Sequence, residues 1–166
     1  MGETVSEHAG VRGVELSRRL MEAVAGLVAA VASVGQQEWH LIPGPDVWSI
    51  GKDVEHVADA IAYHQWIIRR TIGEPVPTRY PALERRQMTS DLLPDEAVAI
   101  IRRRAEDTAR LILALTDAQL DLPTKPPRAG GEVLADTIDR VLVGHFDVHR
   151  VAIEEKLLTL NRIGPG

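Results

Sequence analysis

Four long segments of this chain repeat apolar residues at helical spacing, and stretches rich in proline and glycine separate them. Val14 to Val34 carries Leu20, Val24, Leu27, Val28 and Val31 on one stripe, and Gly35 offers a stop. Pro43-Gly44-Pro45 cannot continue a helix. Either Asp46 or Ser49 can cap the next one, which the pattern Val54, Val57, Ile61, Ile68 extends from about Lys52 to Ile72, ahead of Gly73. Pro75, Pro77 and Pro81 mark a loop of ~20 residues, a length that in a compact domain often crosses the end of a bundle or covers a site. Asp91 or Pro94 opens a third helix through Leu115, with Val98, Ile101, Ala105, Leu111, Ile112 and Leu115 on its core face. Pro123, Pro126, Pro127 and Gly130-Gly131 form the next break, and a fourth helix runs from about Glu132 to Leu158. No segment shows the alternation of a strand. These patterns predict an all-α chain, a four-helix bundle with long crossover loops, in a single domain over residues 1–166 with its core at about 11–160.

Composition narrows the chemistry. The chain has no cysteine, which excludes disulfides, thiolate metal sites and a protein thiol nucleophile. Thiol chemistry, if present, arrives with a substrate. The net charge of -5 argues against general attraction to nucleic acid or an anionic membrane, and Arg102-Arg103-Arg104 reads as a solvated helix face. No apolar run approaches the ~20 residues of a membrane span, and residues 1–10 lack a basic region followed by an apolar one, so a cytoplasmic location is expected.

The residues that call for explanation are histidines. His145 and His149 are four apart on the fourth helix, so their imidazoles project from one face. They continue the stripe Ile138, Leu142, His145, His149, Ala152, which predicts that they point inward. Burying imidazole without a partner costs free energy, and a shared metal ion supplies a partner. His56, eight residues after Trp48, is ambiguous by itself because Val57 and Ile61 run beside it; together with the pair it makes one site. His64 is a poor rival, since eight residues of helical rise set it ~12 Å along the axis from His56. His40 falls in a proline-bounded loop and His8 near the terminus, and neither is assigned to the site. Asp53 and His56 form an Asp-x-x-His pair, but the second such motif and the further carboxylates of a dinuclear centre are missing. Asp53, Glu55, Asp59 and Asp147 read by default as solvated helix charges, one of which can orient a ligand imidazole. Trp48 reads as a staple at the start of its helix. Arg150, ~100° round the helix from His149, reads as a surface or interface ion-pair residue. Trp66 with Ile67 makes the second helix apolar on more than one side, as a dimer contact requires.

Trp48-Ser49-Ile50 followed by His56, and Gly144-His145-Phe146-Asp147-Val148-His149-Arg150 on the last helix, resemble the DinB/YfiT-like superfamily over most of the chain. The resemblance implies one divalent metal ion per chain, held by His56, His145 and His149 with positions open to water or substrate, and a homodimer. Characterised members include metal-dependent enzymes that use low-molecular-weight thiols such as bacillithiol or mycothiol, among them a maleylpyruvate isomerase, and the family name does not establish DNA binding. Two departures stand out. Members often carry glutamine three residues after the last ligand, where this chain has Ala152. The mycothiol-dependent isomerases also usually carry a further C-terminal domain, which lowers the expectation of that activity.

Three neutral imidazoles leave a cation with its full charge and an open position, so the expected function is that of a divalent-metal-dependent enzyme, a thiol S-transferase or a hydrolase. The reacting group is then metal-bound water or thiol at the His56/His145/His149 centre, with no general base that can be named. Ligand softness favours zinc or nickel ahead of iron or manganese. The expected partner is a small-molecule substrate. The alternative is a non-catalytic, stress-associated metal-binding dimer in which the ion reinforces the bundle.

Overall fold

The computed structural model describes residues 10–81 and 87–163, and His8 lies outside them. Four of the helices are long: α1 (Val11–Val31), α3 (Ile50–Thr71), α4 (Pro94–Leu113) and α7 (Gly144–Ile163). α1 and α3 each pack against both α4 and α7, so the four close into a ring around a core that includes Leu20, Leu27, Ile61, Ile101, Ile112 and Phe146. Short helices α2 (Gln36–His40) and α5 (Asp117–Leu120) fill connections. His40 is thus the last residue of a short helix rather than part of a loop, and its side chain is exposed.

The helix boundaries follow from local chemistry. Ser49 caps α3, its hydroxyl accepting a hydrogen bond from the Lys52 amide at 3.2 Å, while Asp46 sits before the cap at φ 58°. Pro94 occupies the first turn of α4, where its missing N–H leaves no helical bond unmade. The start of α3 is further held by the end of the long loop: the Ser49 amide donates to the Met88 carbonyl at 2.9 Å, and the Trp39 indole donates to the Leu92 carbonyl at 2.8 Å. Trp39 is fully buried and lies so close to α3 that a Cβ on Gly51 would stand 2.6 Å from its indole nitrogen. Glycine at 51 is therefore what lets the ring reach its place.

The first part of the same loop folds back on the other end of α3. Trp66 donates to the Pro77 carbonyl and Arg70 to the Thr78 carbonyl, each at 2.9 Å, and Tyr80 packs edge-on to Tyr63 with ring centroids 5.1 Å apart. Ile67 is fully buried. The two-sided apolar character of α3 thus has an intramolecular cause.

The structure departs from the sequence reading before α7. Where a break and then a helix from Glu132 were expected, β1 (Pro123–Arg128) and β2 (Gly131–Val133) pair antiparallel, with Gly130 at φ 76° in the two-residue turn. Prolines hide this hairpin from a search for alternating apolar residues. A threonine cluster fastens it: Thr124 and Thr137 share a hydrogen bond of 2.8 Å, Thr137 donates to the Gly131 carbonyl at 3.1 Å, and the Lys125 amide donates to Thr71 of α3 at 3.0 Å.

Helical structure then begins at α6 (Leu134–Asp136) and passes through a π-helical segment, Thr137–Val143, directly into α7. Thr137, Ile138, Leu142 and Val143 are all buried. In an α-helix residues five apart diverge by about 140°, whereas a wider turn brings 137 with 142 and 138 with 143 toward the same side. This turn sets the phase at which α7 begins, one residue before His145.

Candidate metal centre

His56 leaves α3 less than two turns after the Ser49 cap, and His145 and His149 leave the first turns of α7. The two helices pack side by side. The structure brings all three imidazoles together: ring centroids are 5.0 Å apart for His56 and His145, 5.1 Å for His56 and His149, and 4.5 Å for His145 and His149. One ligand nitrogen from each lies within 4.8 Å of the others.

The donor set suits a divalent cation. Three nitrogens at ~2.1 Å from one ion stand ~3.4 Å apart, so small side-chain rotations close the observed separations. All three histidines are half-buried rather than fully enclosed. The inward placement expected from the stripe is what the structure shows: Leu142, Phe146 and Ile153 are buried at spacings that set His149 among them, its side chain is 13% exposed, and His145 Nε2 and His149 Nδ1 are buried atoms.

The surroundings sort the remaining candidates. Trp48 packs its ring on His56, centroid to centroid 5.2 Å, so it walls the site as well as stapling the helix start. Asp53 differs from the solvated charge expected: it is 4% exposed, its Oδ1 lies 3.3 Å from His149 Nδ1, and Lys156 contacts its Oδ2. Glu55 pairs with the buried Lys52 at 2.9 Å, Asp59 with Arg104 at 3.2 Å, and Asp147 with Arg150 at 3.7 Å. Arg150 also holds Glu154 at 2.9 Å, as a surface ion-pair residue would. His64 is a core histidine, buried with its Nδ1 2.7 Å from the Ala60 carbonyl. Sequence reasoning did not single out Lys156; its spacing of seven from His149 places it on the same helix face.

The fold is a helical bundle in which three convergent histidines from two neighbouring helices form a group that could hold a metal ion. The chain belongs to the DinB superfamily, whose family model matches residues 19–150 and so takes in all three histidines. No curated protein and no solved structure matches the chain. Among the described residues no helix is long and apolar enough to cross a membrane.

Proposed function

We propose that His56, His145 and His149 hold one divalent cation per chain, and that the chain is a metal-dependent enzyme acting on a small molecule as a thiol S-transferase or a hydrolase. The observation that carries this reading is the convergence of three imidazoles with no fourth His, Cys, Asp or Glu joining the group among the described residues. Zinc or nickel suits the nitrogen donors best, with iron or manganese next. Bound there, a cation supplies Lewis-acid activation of a thiol or a water molecule. The protein's own contribution is to fix the imidazoles on two packed helices, to wall one side with Trp48, and to keep its own cysteine-free surface from competing for the ion. The choice between thiol transfer and hydrolysis belongs to the substrate, and the family's thiol-using members put low-molecular-weight thiols first for assay.

Exchangeable coordination separates an enzyme from a structural site, because a structural ion has its fourth position closed by protein. Cobalt-loaded protein is expected to change its visible spectrum when a thiol, azide or hydroxamate is added, and His56→Ala is expected to remove that spectrum. A spectrum indifferent to saturating small ligands would instead favour the non-catalytic reading, in which the ion only reinforces the bundle.

Homodimerisation is part of the same proposal and rests on the family resemblance alone, since the loop covers the apolar face around Trp66. Light scattering or sedimentation at micromolar concentration is expected to give twice the chain mass, and a strictly monomeric species would count against it.

A further inference from the structure

Asp53 stands one turn before His56 on α3, almost fully buried. A buried carboxylate is costly unless it is paired, and α7 supplies both partners, His149 toward Oδ1 and Lys156 on Oδ2. The carboxylate does not join the ligand nitrogens of the three histidines, so it addresses His149 from outside that group. His149 Nδ1, the atom it addresses, is itself buried.

We propose that Asp53 is the positioning residue of this centre: its carboxylate accepts a hydrogen bond from His149 Nδ1–H, which fixes the ring tautomer and leaves Nε2 as the nitrogen that donates to the ion. A neutral imidazole has one N–H and one lone pair, so committing Nδ1 as donor commits Nε2 as ligand. At 3.3 Å the pair is within reach, but Nδ1 makes no hydrogen bond in this conformation; the ring has to turn to aim its N–H at the carboxylate. Lys156 anchors the second carboxylate oxygen, which keeps Asp53 turned toward α7. The function of this arrangement rests on the metal reading above; the tautomer it predicts does not require a metal.

Long-range proton–nitrogen NMR spectra of the metal-free full chain, recorded with the rings neutral, are expected to show His149 protonated at Nδ1. Asp53→Asn, whose amide oxygen still accepts, is expected to keep that form and most of the zinc affinity. Asp53→Ala is expected to lose the preference and to weaken zinc binding by about 10–100-fold. Because alanine leaves Lys156 buried without its partner, Asp53→Ala/Lys156→Met serves as the second variant and should show the same two losses in a folded chain. Protonation of His149 at Nε2 in the wild type, or an unchanged tautomer and zinc affinity in the double variant, would overturn the proposal. A wild type with the Nδ1–H form that binds none of zinc, nickel, iron or manganese would uphold the orientation by Asp53 and refute the metal reading, so the two failures are distinguishable.

Discussion

Replacing both His145 and His149 with alanine is expected to lower the metal content from about one divalent ion per chain to background. The double change removes two of three donors, and His56 alone offers a cation little more than any surface histidine does. The fold is expected to survive it. Neither residue is among the fully buried side chains, and alanine is the strongest helix former, so α7 keeps its apolar core residues and gains propensity. Elemental analysis of purified protein together with circular dichroism checks both halves of the expectation. Full metal occupancy in the double variant would place the site elsewhere; loss of helicity would show that the imidazoles carry packing that their half-burial does not suggest.

The largest effect on stability is expected at Trp39. Its ring is fully buried between the start of α3 and the end of the long loop, touching Gly51 and bonded to the Leu92 carbonyl. Trp39→Ala removes the largest buried side chain at that end of the bundle and leaves that carbonyl without its indole donor. Truncation of a buried tryptophan costs about 3–5 kcal/mol, a large fraction of the ~5–15 kcal/mol by which a domain is stable. Urea denaturation should show the midpoint falling at unchanged slope. A loss below about 1 kcal/mol would mean that the loop and α3 are held by the Ser49–Met88 bond and their remaining contacts alone. The same ring supports the turn of α3 that precedes His56, which ties the stability of this end of the bundle to the geometry of the site.

Residue spacing alone was enough for much of this protein. The long helices follow from period-3.6 apolar stripes such as Leu20, Val24, Leu27 and Val31, all buried, and several of their limits from Ser49, Pro94 and Gly73, because these effects are local and act wherever the chain goes. The three histidines were legible for a similar reason: four residues put His145 and His149 on one face of any helix, and eight residues removed His64 from His56. Other features were decided only when elements met. The hairpin at Pro123–Val133 has no apolar alternation and exists because a threonine cluster and the end of α3 hold it. The π-helical segment before α7, with Thr137, Ile138, Leu142 and Val143 all buried, has no signature in the residue spacing. Whether Asp53 is a solvated charge or a buried partner of His149 depends on α7 lying against α3, a contact between residues about a hundred positions apart. Sequence period determined which faces exist and which residues share them; only tertiary packing, through burial and long-range pairing, decided which face meets which and what stands beside the histidines.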